Sequence, residues 1–321
     1  MIYFLFILGF ILLIYGANFL VDGAASLANK FNISHIVIGL TIVALGTSSP
    51  ELVVNVIASF KGSEDVAMGN ILGSNISNIF LILGASAIIY PLAVSNNTLG
   101  KEIPLSLLAA VVLGIVANDA LIDGHGKSFV TRSDGLILIS FFLLFMHYTF
   151  SIARLKGDHE IEIKNFSTLK SWLMIVGGII GLILGGKWIV DGAVVIASGW
   201  GMSEATISLT IVAIGTSLPE LATCVVAALK RNSDIVIGNI IGSNIFNIFF
   251  VLGISAVIKP LPFNPNLNFD VAIGILASLL LLIFLFTPKK RILEKWQGAF
   301  FLFLYVAYIV FLLVNEQVTK A

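Results

Sequence analysis

The stretch LTIVALGTSSPEL at residues 40–52 recurs almost unchanged as LTIVAIGTSLPEL at residues 209–221, which lies 169 positions later. The likeness extends well beyond these two stretches. Residues 22–84 align without a gap to residues 191–253 at the same offset, and 33 of the 63 aligned positions are identical. The identities are not mainly Leu or Ile, which chance would favour in an apolar chain. The chain is therefore built from two related halves.

The composition places this repeat in a membrane. Of the 321 residues, 58% are hydrophobic and 11% are charged, whereas soluble domains carry about 25% charged residues. A soluble enzyme with a solvated surface is excluded. The 18 basic and 18 acidic residues balance, so we expect no binding of nucleic acid. The single cysteine, Cys224, excludes a disulfide framework and a cysteine-based metal cluster. We expect an all-α protein that crosses the lipid bilayer several times.

Ten segments are apolar and long enough to be candidate spans, since crossing a bilayer requires about 20 residues. The first segment lacks the charged start of a removable signal peptide and is too long for one. The predicted spans are 2–26, 33–60, 66–90, 103–118, 134–153, 171–197, 203–229, 235–258, 270–287 and 296–315.

The number of spans in each half determines how the halves sit in the membrane. We predict a first five-helix half at 1–153, a polar cytoplasmic linker at 154–170 and a second five-helix half at 171–321. Because five is odd, the second half enters the bilayer upside down relative to the first. Inverted repeats of this kind place a substrate site near the middle of the bilayer, where the halves meet.

The basic residues in the loops predict the orientation. Loops on the side that holds the N-terminus, here called the first side, carry five Lys and Arg residues, and loops on the second side carry twelve. Basic residues accumulate in cytoplasmic loops. We therefore expect a cell-membrane protein whose second side is cytoplasmic and whose two termini are extracellular.

Apart from acids at the first two positions of a span, four acidic residues fall inside the predicted spans: Asp22, Glu51, Asp191 and Glu220. A carboxylate at the centre of a bilayer costs about 2.5–3.5 kcal/mol on insertion scales. The deep pair Glu51 and Glu220 therefore indicates a function. Each follows Gly-Thr-Ser-x-Pro, whose proline disrupts the helix and frees carbonyl groups of the preceding turn. Asp22 and Asp191 lie near the ends of their spans, where we expect a capping or interfacial role.

The repeated motifs supply oxygen atoms, and no His or Cys lies near them. Calcium takes six to eight oxygen ligands in adaptable geometry, whereas zinc, copper and iron prefer nitrogen or sulfur. Asn75 and Asn244 fit an interhelical hydrogen bond and an ion contact equally well. The candidate ligands are Glu51, Glu220, Thr47, Thr216, Ser48, Ser217, Ser74, Ser243, Asn78, Asn247 and the freed carbonyls of Ala44 and Ala213.

The charge of such a site suits an exchange of cations. Two ionised carboxylates carry −2, which one Ca²⁺ neutralises and which two or three Na⁺ bring to zero or +1. A site that holds either load, and is poorly suited to holding both, meets the requirement of an exchanger. The charge argument is compatible with cation exchange.

At these residues the chain resembles the cation/calcium exchanger superfamily, and specifically its sodium/calcium exchanger branch. The motifs are the doubled alpha-repeat signatures GTSSPE (46–51), GTSLPE (215–220), GSNISN (73–78) and GSNIFN (242–247). The resemblance implies a ten-helix fold that exchanges several Na⁺ for one Ca²⁺ by alternating access. It implies no enzymatic activity, no cofactor and no obligate protein partner.

The resemblance also implies roles for individual residues. Glu51 and Glu220 would bind Ca²⁺ with the carbonyls of Thr47 and Thr216, and Asn78 and Asn247 would lie at the centre. The first and sixth helices would slide past the rest. One flanking Na⁺ site would use Glu51, Ser74, Ala213, Thr216 and Ser217, and its mirror site would use Glu220, Ser243, Ala44, Thr47 and Ser48.

Two features separate the branches of the superfamily. Potassium-dependent relatives carry Asp at the position of Asn247, so Asn at both central positions speaks against K⁺ cotransport. The calcium/proton branch typically has a GNxxE-type element in place of GTSxPE, which favours Na⁺ as the counter-ion here. A Ca²⁺/H⁺ antiporter is the alternative transport function, because a desolvated glutamate can bind a proton. A channel and an intramembrane protease are alternatives from other classes, although the GxGD-type element of such proteases is absent.

Overall fold

The computed structural model describes residues 2–124, 126–153, 165–199, 213–286 and 291–320. Within these ranges eight helices are long and apolar enough to cross a membrane, and a helix pair bent by 47° makes a ninth. The predicted all-α membrane fold is confirmed. The seventh predicted span is described only from residue 213 onward. Its start, 203–212, and most of the predicted linker lie outside the described residues.

The helices of the first half are named in chain order. They are α1 (Ile2–Phe31), α2 (His35–Ile38), α3 (Ala44–Thr47), α4 (Ser49–Lys61), α5 (Glu64–Ser77), α6 (Gly84–Ile89), α7 (Ile103–Val116), α8 (Asp119–Asp123) and α9 (Arg132–Ser151). Three π-helical segments continue these helices at Gly39–Val43, Asn78–Leu83 and Thr98–Glu102.

The second half repeats this order. Its helices are α10 (Thr168–Gly199), α11 (Ala213–Thr216), α12 (Leu218–Leu229), α13 (Ser233–Ile245), α14 (Gly253–Ile258), α15 (Asn268–Phe286) and α16 (Lys295–Lys320). A π-helical segment at Phe246–Leu252 joins α13 to α14, and a 3₁₀ turn at Pro265–Leu267 precedes α15.

Glycines hold α1 and α10 in close antiparallel contact. A Cβ atom on Gly16 would lie 2.8 Å from the carbonyl oxygen of Gly178, and one on Gly9 would lie 2.9 Å from that of Gly185. Such distances leave no room for a side chain, so the two backbones pack directly against each other. The 169-residue repeat relates these contacts to each other, because Gly9 corresponds to Gly178 and Gly16 to Gly185.

Two short strand pairs also join the halves. Strand β1 (Leu92–Ala93) pairs antiparallel with β4 (Ile292–Leu293), and β2 (Phe129–Val130) pairs antiparallel with β3 (Leu261–Pro262). Their registers place Leu92 opposite Leu293 and Val130 opposite Leu261. Each pair combines one strand from each half, so the halves interlock rather than stand side by side.

The helix breaks occur where the repeated proline motif predicts them. Ser48, between α3 and α4, has φ −82° and ψ 9°, and Ser217, between α11 and α12, has φ −87° and ψ 4°. Pro50 and Pro219 follow two residues later and cannot donate a hydrogen bond to the turn before the break. Each break starts a new helix with its glutamate in the first turn.

Candidate cation-binding site

The two glutamates lie at the starts of α4 and α12, buried in the protein. Glu51 and Glu220 are each 1% exposed. The N-terminal turn of a helix favours a negative charge because its N–H dipoles point toward it. Glu220 Oε1 accepts a hydrogen bond of 2.9 Å from Ser48 Oγ, and Glu51 Oε1 accepts one of 3.4 Å from Ser74 Oγ. Neither carboxylate faces lipid.

Serine hydroxyls connect the two halves around these carboxylates. Ser48 Oγ lies 2.9 Å from Ser243 Oγ, and the mirror contact between Ser217 Oγ and Ser74 Oγ measures 3.5 Å. A hydroxyl has one hydrogen to donate. Ser48 is placed to donate to Glu220 and to Ser243, and its single hydrogen serves one of these two acceptors at a time. The structure thus brings together all four predicted serines, which come from four different helices or helix breaks.

Four asparagines form a second connection between the halves. Asn78 Nδ2 donates to Asn244 Oδ1 at 2.9 Å, and in the mirror contact Asn247 Nδ2 donates to Asn75 Oδ1 at 3.1 Å. Asn75 Nδ2 also donates to the carbonyl oxygen of Asn244 at 3.3 Å. Asn75 and Asn244, for which two roles were open, therefore make interhelical hydrogen bonds that orient Asn78 and Asn247.

Four buried oxygen atoms in this region have no hydrogen-bond partner among the described residues. They are Oε2 of Glu51, Oε2 of Glu220, Oδ1 of Asn78 and Oδ1 of Asn247. A buried polar atom without a partner is costly, so nearly all such atoms in proteins find one. All four are acceptors, and two belong to carboxylates. A cation is a partner that fits this set of acceptor atoms.

The threonines of the motif are held by asparagines that the sequence analysis did not single out. Thr47 Oγ1 donates to Asn239 Oδ1 at 3.1 Å, and Thr216 Oγ1 donates to Asn70 Oδ1 at 3.3 Å. Both asparagines belong to the Gly-Asn pairs of the second repeated motif and stand at the 169-residue offset. Their identity in both copies was the signal that could have revealed them.

The carbonyl oxygens of Ala44 and Ala213 are the remaining predicted ligands. The Ala44 carbonyl oxygen accepts the backbone N–H of Ser48 at 2.9 Å and lies 3.4 Å from Thr47 Oγ1. A carbonyl oxygen has a second lone pair, so this does not prevent contact with an ion. Ala213 is the first described residue of α11. A ligand role for either carbonyl stays a prediction.

A cavity of about 300 Å³ approaches the site from the first side. It reaches Thr216 and Pro219 in the second GTSLPE motif and is bounded by Pro50 and Val54 of α4. On α10 the charged residues Lys187 and Asp191 line it. Asp191 thus lines a cavity, whereas Asp22 on α1 makes an ion pair with Lys230. Of the two roles expected at Asp22, capping or interfacial, this partly exposed ion pair fits the interfacial one.

Two further acids, the buried Glu102 and the partly buried Asp270, correct the prediction that only four lie inside spans. Glu102 belongs to the helical run Thr98–Val116, is fully buried, and accepts a hydrogen bond from the Tyr148 hydroxyl. Asp270, in the run Pro265–Phe286, accepts one of 2.6 Å from the Tyr308 hydroxyl. Both had been placed at or beyond a span boundary, because hydropathy alone does not reveal a tyrosine partner on a distant helix.

Comparison with known proteins agrees with this geometry. The sequence profile described as "Sodium/calcium exchanger protein" matches residues 1–151 and 170–314, which is most of the chain. The chain belongs to the sodium/calcium exchanger family. The resemblance read from the doubled motifs is thereby confirmed, and the protein is a multi-pass membrane protein of that family.

Individual relatives resemble the chain along nearly its whole length. The putative antiporter CaxA of Alkalimonas amylolytica is 40% identical over 311 residues, which cover 94% of this chain and 95% of CaxA. The sodium/calcium exchanger MaX1 of Methanosarcina acetivorans is 31% identical, covering 95% and 97%. A solved structure of the sodium-calcium exchanger NCX_Mj superimposes with a TM-score of 0.83 at 36% identity, covering 97% of this chain and 98% of that one.

Proposed function

We propose that the protein is a secondary antiporter that exchanges Na⁺ for Ca²⁺ by alternating access. One observation carries the proposal. Four buried acceptor oxygens, two from each half and two of them from carboxylates, lack a hydrogen-bond partner among the described residues. The names of the relatives MaX1 and NCX_Mj support Na⁺ and Ca²⁺ as the transported ions. The name of CaxA specifies an antiporter without its counter-ion.

The two carboxylates explain why one site serves both ions. Charges this deeply buried must be compensated, because their desolvation is otherwise too costly. One Ca²⁺ cancels the formal charge of −2 on Glu51 and Glu220, and two or three Na⁺ bring that charge to zero or +1. The two ion loads compete for the same carboxylates, so binding of one favours release of the other. Ca²⁺ and Na⁺ are substrates here, and the reaction involves no bond chemistry.

The ligands divide between the ions as the mirrored motifs suggest. Glu51 and Glu220 would hold Ca²⁺, with the carbonyls of Thr47 and Thr216 and with the central Asn78 and Asn247. The serines and alanine carbonyls would complete the Na⁺ sites. One site would use Ser74, Ala213 and Ser217 beside Glu51, and its mirror would use Ser243, Ala44 and Ser48 beside Glu220.

The site would lie near the middle of the bilayer between halves 1–153 and 171–321, with the second side in the cytoplasm. The excess of basic residues in the loops of the second side supports this orientation. Both termini would then be extracellular.

Ion uptake into proteoliposomes tests the proposal. Vesicles loaded with Na⁺ and diluted into Na⁺-free buffer with ⁴⁵Ca²⁺ should accumulate Ca²⁺, and vesicles with equal Na⁺ on both sides should not. Glu51→Gln and Glu220→Gln should abolish uptake, whereas Asp119→Asn in α8, far from the site, should not. Uptake that ignores Na⁺ and follows a pH gradient would establish a Ca²⁺/H⁺ antiporter instead. Ca²⁺ flux without any counter-ion would establish a channel.

A further inference from the structure

An ion pair ties α1 to the end of α12 on the second side of the membrane. Lys230 Nζ lies 2.6 Å from Asp22 Oδ1, and the two side chains are 30% and 31% exposed. Lys230 also donates to the carbonyl oxygen of Asn18 at 3.5 Å. Asp22 comes from the helix that packs against α10, and Lys230 follows a helix that carries a site glutamate. The pair therefore links two elements that border the site from the second side.

The repeat contains both partners of this ion pair a second time. Asp22 corresponds to Asp191 and Lys230 corresponds to Lys61, each at the offset of 169 residues and each with the same residue type. Asp191 and Lys61 are exposed. They form no ion pair in the part of the chain that the structure describes. One of two equivalent ion pairs is thus made, and the other is open.

The packing is also tighter around the ion pair that is made than around its mirror pair. Val54 lines the cavity on the first side and is half-buried, whereas its repeat equivalent, Thr223, is 0% exposed. Val190 also lines that cavity, whereas its equivalent on α1, Val21, is 1% exposed. The structure is accordingly packed on the side where the ion pair is made and contains a cavity where the mirror pair is open.

Inverted repeats allow the opposite state to be derived from this one. If each half takes the conformation that the other has here, the cavity moves to the second side and the packed region moves to the first. We propose that Asp22–Lys230 and Asp191–Lys61 form alternately and that each closes its side of the membrane while the other is open. This inference rests on the proposed alternating-access function and adds four residues that are not among the predicted ion ligands.

The exchange of one pair for its mirror keeps the two states close in free energy. A partly exposed ion pair contributes only modestly to stability, and the pair lost on one side is replaced by a like pair on the other. Removing one pair should therefore shift the population of states by roughly twofold to fivefold. Removing the mirror pair should shift it by a similar factor in the opposite direction.

Disulfide cross-linking tests whether the second pair forms. The background variant is Cys224→Ser, which removes the single native cysteine. Three chains are made in this background. One carries Asp22→Cys with Lys230→Cys, the second carries Asp191→Cys with Lys61→Cys, and the third carries all four substitutions. A disulfide requires the two Cα atoms to come within about 7 Å. Both double variants should cross-link under oxidation in proteoliposomes. In the four-cysteine chain the two disulfides should exclude each other. Absence of the 61–191 disulfide, or its coexistence with the 22–230 disulfide in one molecule, would overturn the proposal.

Cysteine labelling measures the shift between states. Val54→Cys and Thr223→Cys are mirror reporters for a membrane-impermeant maleimide applied to the two sides. Asp22→Asn or Lys230→Gln should lower labelling at position 54 and raise it at position 223 by roughly twofold to fivefold. Asp191→Asn or Lys61→Gln should do the reverse. The charge-swapped chain Asp22→Lys with Lys230→Asp should label like the parent, because the ion pair is restored. If the single variants acted only through a local loss of packing, the swapped chain would label differently from the parent.

A matched control and a transport assay separate this proposal from the proposed function. Lys187→Gln removes a charge one turn from Asp191, but its repeat equivalent is Asn18, so labelling should not change. A change as large as that of Asp191→Asn would contradict the mirrored assignment. A chain that exchanges Na⁺ for Ca²⁺ yet shows no reciprocal labelling refutes the ion-pair proposal alone. Loss of Na⁺ dependence in the parent chain refutes the proposed function.

Discussion

Thr47 and Thr216 occupy the same place in the two GTSxPE motifs, yet their surroundings differ. Thr47 is 0% exposed, whereas Thr216 is half-buried and lines the cavity that approaches from the first side. Their hydroxyl bonds, to Asn239 and to Asn70, are nevertheless equivalent. The hydrogen bonds inside the site are thus equivalent in the two repeats, whereas the access to the site differs between them. A transporter open to one side at a time requires this kind of asymmetry.

The serines beside the prolines show a smaller difference. Ser48 Oγ donates to Glu220 at 2.9 Å and lies 2.9 Å from Ser243 Oγ. Ser217 Oγ lies 3.5 Å from Ser74 Oγ. Glu220 thus has a shorter serine hydrogen bond than Glu51, whose bond from Ser74 Oγ measures 3.4 Å. Four predictions test how far the equivalence of the two halves extends.

The largest effect is expected at the glutamates. Glu51→Ala and Glu220→Ala should each lower the rate of Na⁺-driven Ca²⁺ uptake by roughly a hundredfold, equivalent to about 2.7 kcal/mol, because both carboxylates hold the same ion. Initial rates in proteoliposomes at fixed protein density measure this. Wild-type exchange in either variant would show that the halves do not share one site.

A stability difference is expected in the contact between α1 and α10, to which both halves contribute. A Cβ atom on Gly178 would lie 2.7 Å from the Gly16 carbonyl oxygen, so Gly178→Ala should destabilise the protein by about 1–3 kcal/mol, as overpacking does. Its neighbour Gly177 has open space within the described structure, so Gly177→Ala is the matched control. Thermal unfolding in detergent compares the two. Equal melting temperatures would show that the helices separate easily.

The central asparagines should behave alike. Asn78→Ala and Asn247→Ala each remove one unpartnered oxygen and one hydrogen bond between the halves, of 2.9 Å and 3.1 Å. Each should weaken Ca²⁺ affinity by roughly tenfold, since a lost hydrogen bond costs about 0.5–1.5 kcal/mol and the ion loses an acceptor. Calorimetric titration of purified protein measures the affinities. A difference of more than a few fold would show that the centre is asymmetric as well.

The smallest effect should appear at the serines and should be unequal. Ser48→Ala removes the 2.9 Å hydrogen bond to Glu220 and should weaken Ca²⁺ affinity by about fivefold, whereas Ser217→Ala should weaken it by about twofold or less. The same titration, with both variants in one detergent, compares them. The reverse order would place the stronger contact on the cavity side.

Most of the site residues could be predicted from the sequence because they recur. The glutamates, the serines and the central asparagines stand at a constant offset, and acids in apolar spans are rarely accidental. Asn70 and Asn239 recur as well, but their role depends on threonines from the opposite half. Glu102 was missed because its partner, Tyr148, lies on another helix and hydropathy assigns it to a boundary.

The sequence by itself determined the membrane class, the two related halves, their inverted arrangement and the types of atom at the candidate site. Local composition and periodicity suffice for these properties, since each depends on residues close together in the chain or at one fixed offset. The tertiary structure decided which oxygens remain unpaired and which side is packed. Ser48 meets Glu220 and Ser243 across 172 and 195 positions. The repeat, with 33 identities in 63 aligned positions, does not specify which side is open. That asymmetry arises only when both halves pack into one molecule.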